Sequence, residues 1–284
     1  MSESFDAGWL RLREPFDHAA ANRLLLNQLV ALLPARPRLL DLGAGMGSLF
    51  RLLAPIIGRA QAWMLVDADE DLLGQAFNAI AEWGEEQGWT VTWPGRALLL
   101  HTPRGAWRVE GLVADLANAP AGLPLAHTDA VVCSALLDLV SAAWLHGIAP
   151  ALRSPFLACL TIDGRDVWMP RDAADIVVRT GERRHQATDK GFGPALGVHA
   201  VFAATSIFAA RGFQVRTAPS DWRIPRGETA LLSHLLVEAA EAARAALPLH
   251  RDAITRWETR RFRQASLARL AARIGHRDFL ALPG

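Results

Sequence analysis

Three glycines at alternate positions, Gly43, Gly45 and Gly47, separate the apolar run "RLLDL" from the helix-like run "SLFRLLAPII". Such a loop lets the chain turn tightly and lets a ligand approach the backbone. A dinucleotide turn would need the longer spacing G-x-G-x-x-G, so the pattern argues against a pyrophosphate. Asp41 precedes the loop inside the apolar run, Asp67 ends "AWMLVD", and Asp115 ends "VEGLVAD". Ligands of open α/β sheets bind beyond the carboxyl ends of strands. At such an end Asp67 can accept hydrogen bonds from both hydroxyls of a ribose. Asp115 can meet an exocyclic amine, its alternative being a helix N-cap. Asp69, Glu70 and Asp71 read as acids opening a helix.

A second group of residues suits a reacting partner. Asp138 follows Ser134 by four residues, so one helical turn would bring both to the same place. There Asp138 would orient an acceptor or act as a base, or else cap the next helix. The segment "RRHQATDKGFGPALG" carries His185, whose intrinsic pKa suits proton transfer near neutrality, and Lys190, the only lysine. Lys190 could pair with an anion, and Arg13 could clamp a carboxylate. Trp9 and Glu14 would cover a pocket or simply pack. No H-x-x-x-H or paired C-x-x-C cluster occurs, so no metal site is expected.

The elements that must position these groups follow from periodicity. Residues 5–33 read as helical, interrupted early by Pro15. From Arg38 onward short apolar strands alternate with helices: "RLLDL", "QAWMLVD", "WRVEGLVAD" after a hairpin at 89–101, "TDAVVCS", "PFLACLTIDG" and "GFQVRTA". This alternation implies parallel βαβ units and an α/β sandwich. Segments 171–195 and 227–272 stand outside it as helical elaborations, and "GHRDFLALP" closes the chain as a possible last strand. The expected organisation is an N-terminal helical cap, 1–35, on a single domain, 36–284. Arg256, Arg260, Arg261 and Arg263 fall at helical spacing and read as a solvated face.

Composition bounds the rest. Of 284 residues 51% are hydrophobic and 21% charged, enough for a sizeable core. The net charge of +1 is a poor footprint for a nucleic-acid binder. Cys133 and Cys159 lie in apolar runs and read as core residues. The first residues carry charges where a signal peptide needs an unbroken apolar stretch, and no window suits a membrane span, so a cytoplasmic protein is expected.

Taken together, "LLDLGAGMG", "WMLVD", "GLVADL" and "TDAVVCSALLDLV" resemble the class I S-adenosylmethionine (SAM) dependent methyltransferases, over roughly residues 36–218. The resemblance implies a Rossmann-like, mostly parallel sheet with N-terminal and C-terminal helical additions. It implies that Asp41, Gly43, Gly45 and Gly47 surround the methionine part of SAM. Asp67 with Ala68 would meet the ribose, Asp115 with Leu116 the adenine, and Ser134 would border the cofactor. Arg13, Asp138 and Lys190 are the candidate acceptor-binding residues, Asp138 and His185 the candidate catalytic ones. "WLRLREP" and "TDKGFGPALG" look like a bacterial small-molecule branch, giving a small acceptor methylated at oxygen or nitrogen, with S-adenosylhomocysteine (SAH) as product. The N/D-P-P-Y/F/W signature of amino-methylating DNA enzymes and a Pro-Cys pair for attack on cytosine are absent, which lowers nucleic-acid methylation. A non-catalytic SAM-binding protein and a protein or nucleic-acid methyltransferase remain the alternatives. A homodimer through the apolar faces of the C-terminal helices is a further expectation.

Overall fold

A computed structural model of the chain describes residues 6–284. Asp6 opens α1 (Ala7–Ala20), its carboxylate accepting the Gly8 and Trp9 N–H groups. Asn22 caps α2 (Arg23–Leu32) in the same way at Leu25. The break between them falls at Ala21 and Asn22, so the expected interruption at Pro15 is corrected: Pro15 lies inside α1. The helix there is pinned from outside, because the next residue back, Glu14, receives the Arg51 Nε–H at 2.7 Å. Such tertiary fastening offsets the helix-breaking tendency of proline. Residue 5, where the helical reading began, lies outside the described residues.

The alternation continues as β1 (Arg38–Leu42), α3 (Ser48–Ile57), β2 (Gln61–Asp67) and α4 (Glu70–Glu86). The meander β3 (Thr90–Thr92), β4 (Leu98–Thr102) and β5 (Gly105–Val113) follows, then β6 (Ala130–Ser134), α5 (Ala142–Ile148) and β7 (Phe156–Ile162). After β8 (Val167–Met169) come α6 (Asp175–Gln186), α7 (Ala200–Ala209), β9 (Gln214–Pro219) and β10 (Trp222–Ile224). The chain finishes with α8 (Thr229–Ala246), α9 (Arg251–Ser266), β11 (Ala271–Ile274) and β12 (His276–Leu282).

Nine strands form one sheet in the order β3-β4-β5-β2-β1-β6-β7-β12-β9. Its centre, β5-β2-β1-β6-β7, is parallel, while β12 runs antiparallel to both β7 and β9. This is a Rossmann-like α/β fold. Leu39, Leu40, Leu42, Val131, Val132 and Cys133 are all buried, as strands covered on both faces must be. Strand order reverses between β1 and β6, where such sheets open a crevice for ligands. A second sheet, β10-β11-β8, was not anticipated. Its strands of three and four residues are too short to display an alternating pattern.

The C-terminal helices spend their apolar faces within the chain. Leu231, Leu232, Leu236, Ala239, Ala240 and Ala243 of α8 are buried, with α6 and α9 as neighbours. The apolar faces behind the expected dimer are therefore already covered. The solvated-face reading of the arginines is corrected at Arg261, which is fully buried. Its guanidinium donates to Asp175 and, at 2.6 Å, to the Pro170 carbonyl, while Trp257 Nε1–H donates to the same carboxylate at 2.7 Å. A helical spacing of charges does not reveal that one of them faces inward. No described helix is long and apolar enough to cross a membrane.

Candidate functional site

A cavity of about 570 Å³ opens at the carboxyl ends of the parallel strands, on the reversal between β1 and β6. That volume falls in the range of small-molecule and cofactor pockets. Its floor is the glycine loop. Leaving β1, the chain donates the Gly43 and Ala44 N–H groups to the Val66 carbonyl of β2, at 2.9 and 3.0 Å. Asp67, the last residue of β2, then takes the Gly45 N–H on Oδ2 at 2.9 Å and the Asp69 N–H on Oδ1 at 3.1 Å. The carboxylate is thus held by two backbone donors and still lines the cavity. Gly45 has φ +51°, and a Cβ there would stand 3.4 Å from Leu10 of α1, another lining residue.

Gly43, Gly45, Asp67, Ala68, Asp115, Leu116 and Ser134 are brought together as lining residues. Asp115 lies two residues past β5 and also caps a short 3-10 helix, accepting the Ala117 N–H at 2.9 Å. Both readings of that residue therefore have a physical basis. Leu116 is fixed from behind, its carbonyl taking the Trp144 Nε1–H at 2.6 Å. Asp69, Glu70 and Asp71 open α4 as expected of helix-initiating acids, and they also line the cavity.

Gly47 points elsewhere. Its φ is +71°, and a Cβ would come within 2.8 Å of Ile80 Cδ1 on α4, so it serves a close helix approach. Asp41 is buried beneath the loop, and neither carboxylate oxygen has a hydrogen-bond partner within the described residues. Burial, with the neighbouring Asp67 charge adding to it, pushes its pKa well above the usual carboxylate range. Asp41 is not among the residues that line the cavity.

The opposite end of the cavity is built by α1 and by the loop before α7. Arg13 and Lys190 line it, with Leu10, Leu139 and Phe192. The loop is preformed: Asp189 Oδ1 accepts the Gly191 and Gly193 N–H groups at 2.7 and 3.0 Å. Leu196 and Gly197 N–H anchor it to the Val140 and Asp138 carbonyls, both at 2.9 Å. Asp138 is not a lining residue. The stretch from Ala135 to Val140 is a turn rather than the expected helical turn, with α5 starting only at Ala142. The Asp138 side chain is buried, and desolvation raises its pKa to about 6. His185 sits in the last turn of α6, outside the cavity wall. Trp9 is buried, stacked on His234 at 3.9 Å, and Glu14 pairs with Arg51. No group of three or more metal-ligating side chains occurs among the described residues.

Several wall residues carried no readable signal. Leu10, Leu136, Leu139 and Phe192 look in sequence like core residues. Only the alternation of glycines around Phe192 marked its loop as specified.

No protein-family model matches the sequence, and no curated protein matches it. Solved structures do resemble the chain. A SAM-dependent methyltransferase from Thiobacillus denitrificans, in complex with SAH, is 14% identical over 99% of this chain and 100% of that one, with TM-score 0.45. A geranyl diphosphate methyltransferase in complex with SAM is 12% identical over 99% and 93%, with TM-score 0.47. The [4+2]-cyclase SpnF is 16% identical over 94% and 81%, with TM-score 0.42. Likeness at this level does not bear on chemistry, which rests on the cavity's own residues.

Proposed function

We propose that the protein is a SAM-dependent methyltransferase that moves a methyl group to oxygen or nitrogen of a small-molecule acceptor in the cytoplasm. One observation carries this reading. Asp67 ends the strand beside the glycine loop, held by the Gly45 and Asp69 N–H groups, and faces a cavity sized for a cofactor and a small partner. A fixed carboxylate at that position suits the two hydroxyls of a ribose. Asp115 and Leu116 lie where an adenine would follow, and the open floor at Gly43 and Gly45 suits the methionine part. The orphaned Asp41 beneath the floor fits a polar group at that end.

SAM supplies an activated methyl on a sulfonium when bound. The chain's own task is then to hold the acceptor in line with the methyl–sulfur bond and to exclude water. Ser134 borders that point, α1 and the loop carrying Lys190 and Phe192 cover it, and Arg13 and Lys190 hold the acceptor. Asp138 stands behind the wall, where it would orient these groups or accept a proton through them. The N-terminal helices, residues 1–35, act in this reading as a cap on the domain 36–284.

Calorimetric titration tests the assignment. SAM and SAH should bind and raise the melting temperature, while NADH and NADPH should not. Binding of the nicotinamide cofactors alone would overturn it. Formation of SAH in the presence of acceptors distinguishes an enzyme from a binder.

A further inference from the structure

Among the lining residues, Asp67 ends β2 and Asp115 follows β5, whereas Arg13 lies on α1. Arg13 is also set in place with unusual care. Its Nε–H donates to Asp17 Oδ2 at 3.0 Å and Nη2 to Oδ1 at 3.4 Å. Asp17 is itself buried and receives the Trp222 Nε1–H at 3.0 Å. The Trp222 ring lies 5.1 Å from the guanidinium carbon, within cation–π range. One edge and one neighbouring ring are therefore committed to the protein. Nη1 has no hydrogen-bond acceptor among the described residues, and Arg13 lines the cavity.

From this geometry we infer that the acceptor is a small carboxylate with an apolar body, its carboxylate received by Arg13, and that Asp17 is the positioning residue for that arginine. The inference rests on the proposed methyl-transfer site. A guanidinium whose Nε edge is already clamped offers the remaining N–H groups in a fixed direction, which favours a planar anion over a neutral group. Leu10, Leu139 and Phe192 line the same end and supply contact for an apolar frame. The loop that Asp189 holds in shape carries Phe192 to this end.

Matched probes test this in SAH-loaded protein. Benzoate, phenylacetate and 3-phenylpropanoate are titrated against their isosteric amides, with SAH affinity measured separately. At least one carboxylate should bind about 10- to 100-fold more tightly than its amide, the range expected for a charge-assisted hydrogen bond. Arg13→Gln should bring each pair to within about twofold, and Asp17→Asn should erode the preference while Arg13 remains, both with SAH affinity unchanged. Equal binding of acids and amides by the unchanged protein would overturn the inference. So would loss of SAH affinity in Arg13→Gln with the acid preference intact, since Arg13 would then serve the cofactor. Failure of SAH to bind the unchanged protein would instead overturn the reading on which the inference rests.

Discussion

Substituting Gly47 by alanine separates the packing role of the glycine loop from its ligand-facing role. At φ +71° a residue with a Cβ carries a strain of about 1–2 kcal/mol. The new methyl would also stand 2.8 Å from Ile80 Cδ1, well inside van der Waals contact, and such overpacking costs about 1–3 kcal/mol. The sum is a loss of about 2–5 kcal/mol, or roughly 3–8 °C in melting temperature for a chain of this size. Ile80→Val removes the colliding Cδ1 at its own cost of about 0.5–1.5 kcal/mol. The double variant should then be about 1–2 kcal/mol more stable than the two single losses added together. Thermal and urea denaturation of the four proteins reads this coupling directly. Additive losses would show that Ile80 is not what Gly47 meets. A Gly47→Ala protein of normal stability but weakened SAH binding would refute the packing account altogether.

Further outcomes follow from the same geometry. Asp67→Ala removes the acceptor for the Gly45 and Asp69 N–H groups and the proposed ribose contact; SAH affinity should fall about 10- to 100-fold by calorimetry. Asp175→Asn strips the buried Arg261 of its charge partner and should cost about 3–5 kcal/mol in denaturation with SAH affinity retained, because α6 and α9 stand apart from the cavity. Burial, reinforced by Asp166, raises Glu182 to a pKa of about 8 from an ordinary 4.5. Between those values the folded chain holds a proton that the unfolded chain has lost, so stability falls as pH rises across the window, by up to about 1.4 kcal/mol per pH unit. Glu182→Gln should flatten that slope in denaturation series from pH 5 to 8, and an unchanged slope would exclude Glu182 as its source.

The parallel half of the molecule was readable because each of its strands is a short apolar run closed by a turn signal. The glycine loop, Asp67 and Asp115 could be placed together because strand ends in such sheets share one edge. The cavity wall at Arg13 was less legible for a physical reason. Asp17 and Trp222 flank Arg13 from positions 205 residues apart, and no local pattern records that meeting. The four-residue spacing from Ser134 to Asp138 suggests a helical turn, whereas the chain after β6 makes a turn with Ala135 at φ +51°. Gly47 looked like its neighbours in the loop, yet only the approach of α4 decides which way it faces.

The position of β12 has a consequence for how the protein is made. The last strand in sequence lies between β7 and β9, so β9 at the sheet's edge has no neighbour to join until the final residues exist. The parallel half, from β1 to β7, can pair strand by strand as it leaves the ribosome. The wall behind Arg13 cannot, because Trp222 follows β9 and His276 opens β12. The backing of Arg13 is therefore completed last, and a chain shortened by a dozen residues would lose β12 with His276 while keeping the parallel strands.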